Sequence, residues 1–143
     1  MIAVAAVVAV VFAVLALVHL YWACGGRRLK AAAVPEVRGR AAFVPSAVMT
    51  LLVALGLAMC SWLVAATAGL IGAPIPTGWL PWLAIALALV LFARAVGDFR
   101  LVGFFKQVRG TRFARMDSLF YAPLCLLLSV AVFLVAITRT HFA

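Results

Sequence analysis

Four apolar runs, each about as long as a bilayer is thick, take up most of this 143-residue chain. A helix rises about 1.5 Å per residue, so roughly 20 apolar residues cross the hydrocarbon core. The runs lie at about 2–24, 45–71, 79–96 and 119–138, and the first carries no Asp, Glu, Lys or Arg. Inside lipid every backbone N–H and C=O must be paired within its own segment, which leaves the helix as the conformation for each run. Apolar residues make up 69% of the chain, against roughly 45–50% in soluble proteins. The expected fold is therefore all-α. Residues 1–143 form one integral membrane domain, a bundle of four transmembrane helices.

Charge sets the expected orientation. Arg27, Arg28, Lys30, Arg38 and Arg40 follow the first run, and Arg94, Arg100, Lys106, Arg109, Arg112 and Arg115 lie between the body of the third and the fourth. Only Arg139 stands apart. Basic connectors stay on the cytoplasmic side, so both termini are expected outside. The uncharged 72–78 connector, with Pro74 and Pro76, joins the second and third helices as antiparallel neighbours. Trp79 and Trp82 suit an outer aromatic belt, and Tyr21 and Trp22 an inner one. A net charge of +9 next to membrane spans points to anionic lipid headgroups rather than nucleic acid, for which no binding motif is present.

Polar side chains gather at the connector end of each run: His19, Ser46 and Thr50, Arg94 and Asp98, then Asp117, Ser118 and Tyr121. Ser46/Thr50, Arg94/Asp98 and Asp117/Tyr121 are i,i+4 pairs, each on one helix face. Charges within spans usually face the bundle interior or a wet cavity. The candidate ligand-binding set is His19, Trp22, Arg94, Asp98, Arg100, Asp117 and Tyr121. A structural account competes with it: Arg94 and Asp98 neutralise one another, and Asp117 favours the positive N-terminal end of the fourth helix. Between the third and fourth runs, Leu101, Phe104, Phe105 and Val108 recur at helical spacing opposite Arg100, Lys106, Gln107 and Gly110. That pattern predicts an amphipathic segment lying in the membrane interface, or a helix docking another protein.

No metalloprotease, nucleophile-elbow, phosphate-loop or dinucleotide motif occurs. Cys24, Cys60 and Cys125 form no CxxC pair and read as small apolar fillers, so no metal or cofactor is expected. The first run lacks a basic n-region and a small-x-small cleavage site, which predicts that it is retained. Val37-Arg38-Gly39 and Val108-Arg109-Gly110 each precede a proline-bearing span, at different offsets, a faint sign of a duplicated hairpin.

His19-Leu-Tyr21-Trp22-Ala-Cys-Gly25-Gly26, Ala33-Val-Pro35-Glu36, Arg94-Ala-Val-Gly97-Asp98-Phe99-Arg100 with Gly103-Phe-Phe-Lys106, and Asp117-Ser-Leu-Phe-Tyr121-Ala-Pro123-Leu124 follow one another in that order. Together they resemble a widespread bacterial family of small four-helix membrane proteins catalogued as a domain of unknown function. The resemblance implies this architecture and a multi-pass protein of the bacterial cytoplasmic membrane, without a substrate. Three functional readings remain. The chain binds or transports a lipid-type or small anionic ligand at the connector end. Alternatively it is an accessory subunit of a membrane complex, self-associated or held by another membrane protein. The third reading is a membrane enzyme acting on a lipid or quinone-like substrate, for which no catalytic motif speaks.

Overall fold

The computed structural model describes the chain apart from residues 27, 29–32, 35, 38, 39, 42 and 141–143. Helix α1 spans Ile2–Ala23, α2 Ala47–Thr67 and α3 Leu80–Val96, the last entered through a 3₁₀ turn at Thr77–Trp79. Helix α4 covers 112–140: an α-helical start at Arg112–Met116, a π-helical turn at Asp117–Tyr121, and a long run at Ala122–Thr140. Among the described residues these four helices are long and apolar enough to cross a membrane. In the first connector, Glu36–Val37 pairs antiparallel with Arg40–Ala41.

Local chemistry sets the helix ends. Ser46 Oγ accepts the Met49 N–H at 3.1 Å, and Thr111 Oγ1 accepts the Ala114 N–H at 3.0 Å, each satisfying a donor left over in a first turn. The Thr111 cap starts α4 at Arg112, seven residues before the apolar run expected from 119. Asp117 therefore lies past the first turn, where the helix dipole has little hold on it. Pro123 explains the π turn. Its ring has no N–H and would meet the carbonyl four residues back, and the widened turn lets the Ala122 N–H reach the Asp117 carbonyl instead. At the other ends, Gly25 (φ +95°) and Gly69 (φ +74°) close α1 and α2. Gly26 N–H reaches Tyr21 O, and Leu70 N–H reaches Ala65 O, both at 2.9 Å. These are glycine-terminated caps in which later N–H groups take up orphan carbonyls. Arg139 on α4 adds an Nη2 donor to the Ala68 carbonyl at the end of α2.

The helices form two hairpins, α1 with α2 and α3 with α4, each packed more extensively within itself than against the other. The two hairpins share one register. Buried Ala5, Ala9 and Ala16 of α1 correspond to buried Ala84, Ala88 and Ala95 of α3 at a constant offset of 79 residues. Ala54 and Val64 of α2 and its C-cap Ala68 correspond to Ala122, Val132 and Ala136 of α4 at a constant offset of 68. The polar cross-links agree: Ser61 Oγ donates to Ala9 O and Ser129 Oγ to Ala88 O, both at 2.8 Å. Small residues at these positions let the backbones approach closely enough for a serine to reach a neighbouring carbonyl. The buried faces thus repeat at offsets of 79 and 68, not at the 71 residues that separate the two Val-Arg-Gly motifs, of which Arg38 and Gly39 lie outside the described residues. Around this core the outward faces remain apolar, with Val7, Leu17, Leu55, Leu89 and Leu127 exposed, as a lipid-facing surface requires.

The segment between α3 and α4 departs from the expected amphipathic helix. Residues 97–111 form an irregular loop that folds back over the end of α3. Gly97 (φ +96°) and Gly103 (φ +86°) lie against one another so closely that a Cβ on either would overlap the other's backbone region. Phe104 N–H then donates to Ala95 O at 2.9 Å. Two left-handed glycines and a backbone crossing are incompatible with continuous helix, whatever the side-chain spacing.

Candidate functional site

The connector end carries two separate arrangements, one polar and closed, one apolar and open. The closed one centres on Asp117, which is fully buried. Its Oδ1 accepts Arg94 Nη2 at 2.8 Å. Its Oδ2 accepts the Gly103 N–H at 2.7 Å and Lys106 Nζ at 3.1 Å. Lys106 is only 3% exposed, and Nζ also donates to Gly103 O at 2.9 Å and Ser118 Oγ at 2.7 Å. One carboxylate thus answers two cations and a backbone amide. A buried ion pair is tolerated when its remaining hydrogen-bonding capacity is also filled, and Lys106 meets that condition with three acceptors. Arg94 does not. Its Nη1 is buried and meets no partner among the described residues, so the cluster keeps a spare donor and a surplus positive charge.

Asp98 serves the loop rather than Arg94. Its Oδ1 accepts the N–H groups of Arg100 (2.9 Å), Leu101 (2.7 Å) and Val102 (3.0 Å). The Val102 and Leu101 amides, followed by that of Arg100, hold its carboxyl below the usual carboxylate range. The expected Arg94–Asp98 pair gives way to Arg94–Asp117 because α3 ends at Val96, so residues 94 and 98 no longer share a helix face. Arg100 is exposed on the loop. Tyr121, half-buried on the π turn, has its ring 6.1 Å from Phe113.

The open arrangement lies between α1 and α2. His19 Nδ1 is 2.8 Å from Leu15 O. A carbonyl only accepts, so Nδ1 carries the proton and Nε2 is left as an acceptor in the neutral ring. The His19 ring meets Trp22 edge-on at 4.9 Å. Trp22 is buried rather than lipid-facing, and its Nε1–H donates to Arg28 O at 2.8 Å. That bond turns the indole inward, so it does not join an aromatic belt. Trp79 and Trp82, by contrast, are two-thirds exposed. His19, Trp22, Phe43, Met49, Thr50 and Val53 line a groove of about 260 Å³. Thr50 spends its hydroxyl proton on Ser46 O at 2.8 Å, leaving the wall almost wholly apolar.

Of the residues singled out from sequence, Arg94 and Asp117 meet, His19 and Trp22 meet, Asp98 accepts the backbone N–H of Arg100, and the Tyr121 ring lies beside Phe113. Lys106 is not in that set. It lies in the Gly103-Phe-Phe-Lys106 stretch, but helical spacing assigned it to a polar outer face, and only the fold-back of the loop buries it. Among the described residues no group of three His, Cys, Asp or Glu side chains is placed to hold a metal ion.

A family model described as "Protein of unknown function (DUF3995)" matches residues 3–132. No curated protein and no solved structure matches the chain.

Proposed function

The chain belongs to the DUF3995 family, and from the groove beside Trp22 we propose that it is a multi-pass protein of the bacterial cytoplasmic membrane that binds a neutral, lipid-type ligand. Its basic connectors face the cytoplasm, and the ligand enters from the inner leaflet. The observation that carries this reading is the contrast between the hairpins. Counting back from Ala54 and Ala122, and allowing for the one residue that the π turn adds, Thr50 of the groove, buried like its counterpart, corresponds to Asp117, which Ser118 follows. In the second hairpin the connector fills the space beside those residues with Lys106. In the first, the same flank of α2 borders an apolar groove of about 260 Å³.

The groove's chemistry favours an uncharged guest. Thr50, its hydroxyl proton bonded to Ser46 O, stands where the second hairpin has a carboxylate, and Leu15 where it has Arg94, so neither charge has a counterpart. Drug-sized pockets run to roughly 300–1,000 Å³. A groove of about 260 Å³ suits a ring or a tail segment, with the rest of the ligand left in lipid and His19 Nε2 as a single acceptor for a hydroxyl. Native mass spectrometry on protein released gently from its own membrane tests this. A bound small molecule should be retained by the wild type and lost in Met49→Trp, which fills the groove. Equal retention by both proteins, or no bound molecule in either, would refute the assignment.

A further inference from the structure

A second cavity, of about 450 Å³, lies beside the Asp117 cluster and belongs to neither the groove nor the ion pair itself. Lys106, Arg109, Arg115 and Ser118 line it, with Phe104 and Leu119 at its apolar side. No carboxylate among the described residues lines it. Asp117, the nearest acid, is spent on Arg94 and Lys106, so the wall carries uncompensated positive charge. We propose that this cavity binds a phosphate group, carried by an anionic phospholipid headgroup.

Each lining residue has a distinct part. Lys106 has its three N–H donors committed to Gly103, Asp117 and Ser118, and therefore supplies charge without a direct bond. Ser118 Oγ accepts from Lys106, which leaves its own hydroxyl proton available to donate. Arg109 and Arg115 are exposed, free to close on phosphate oxygens with the planar fork that suits them. Phe104 and Leu119, 40% and 68% exposed, offer an apolar flank on which the first carbons of an acyl chain lie. A phosphate with an attached hydrocarbon chain fits both sides, and α4 delivers the site to the headgroup level because its first turns extend beyond the apolar run.

The full chain is reconstituted in phosphatidylcholine bilayers containing phosphatidylglycerol, and the lipids retained on gentle release are identified by native mass spectrometry. Phosphatidylglycerol should be retained over phosphatidylcholine by the wild type. The exposed double variant R109Q/R115Q should lose that preference by about thirtyfold, from the usual contribution of basic residues near an anionic headgroup. Arg112→Gln, on the same helix but outside the cavity, should keep it. If the wild type shows no lipid preference but binds inorganic phosphate, and R109Q/R115Q does not, the site stands with free phosphate as its source. The proposal is overturned if neither ligand binds, or if Arg112→Gln weakens binding as much as the double variant, which would reduce the effect to general surface charge.

Discussion

Asp117→Asn should be the most damaging single exchange at the connector end. The carboxylate is fully buried and holds Arg94, Lys106 and the Gly103 amide at 2.7–3.1 Å. Asparagine fills the same volume but removes the charge and turns an N–H₂ toward one group of donors. Lys106, 3% exposed, is then a buried ammonium without a counter-ion. Breaking a buried pair from one side costs about 3–5 kcal/mol. Arg94 adds little to this figure, since its side chain is about a third exposed and can swing to the headgroups. Lys106→Met should cost less, about 1–3 kcal/mol, because Asp117 keeps Arg94 and the Gly103 amide. The two exchanges remove one interaction, so the double variant should be milder than their sum by up to about 3 kcal/mol. Reversible unfolding in lipid–detergent mixtures gives the energies, and trypsin cleavage at Arg100 and Arg109 reports whether the loop has opened. An Asp117→Asn protein within about 1 kcal/mol of wild type would refute the desolvated cluster, as would additivity within about 0.5 kcal/mol.

Three further outcomes follow from the same geometry. Gly97→Ala and Gly110→Ala both place a side chain at positive φ, which costs about 1–2 kcal/mol. Only at Gly97 does the new Cβ also meet backbone, at Val102, whereas Gly110 has open space; unfolding energies should rank Gly97→Ala clearly worse, and equal losses would contradict the backbone crossing. Ser61→Ala and Ser129→Ala should each cost about 0.6 kcal/mol, the average for a hydrogen bond between membrane helices, and should match one another because the bonds are equivalent in the two hairpins; a loss confined to one would break the equivalence. Asp98 has its folded pKa depressed by the Val102, Leu101 and Arg100 amides. Its contribution is therefore full above the ordinary carboxylate value of about 3.9 and fades as pH falls through the lower folded value. Pepsin cleavage of the 97–111 loop should rise over that acid range, and Asp98→Asn should flatten the rise.

Hydropathy and charge made the four helices legible because lipid leaves the backbone one solution and the apolar runs are long enough to use it. Their ends were less legible. The α4 start depends on one threonine cap, and the π turn on Pro123 interacting with a carbonyl four residues earlier. The polar cluster was half legible. Arg94 and Asp117 could be named because a charge in a span needs a reason, but their pairing depends on α3 stopping at Gly97. Lys106 was hidden for the same reason: its helical spacing is real in the sequence, and two left-handed glycines override it. The groove could be named only by His19 and Trp22, since an apolar wall has no distinctive residue type in a chain that is 69% apolar.

The shared register of the two hairpins turns this into a question of where they diverge. Through the core, Ala5, Ala9 and Ala16 repeat as Ala84, Ala88 and Ala95, and Ala54, Val64 and Ala68 as Ala122, Val132 and Ala136. Toward the connectors the equivalence fails: Val18 of α1 is helical, whereas its counterpart Gly97 turns the chain out of α3, and the π turn of α4 has no match in α2. α1 runs on for six more residues and leaves space between itself and α2 beside Met49. In the second hairpin the released connector doubles back, and a carboxylate at the Thr50 position draws Lys106 into the corresponding space. A chain whose two halves share one core but differ in whether that space is filled has one hairpin fixed by its own lysine and another with an open apolar groove. Asp117→Thr, which copies the first hairpin into the second, should therefore release the Lys106 loop, increase its cleavage by trypsin and leave an opening there. A loop that stays closed without the carboxylate would mean that the glycine crossing alone holds it, and that the ion cluster has another purpose.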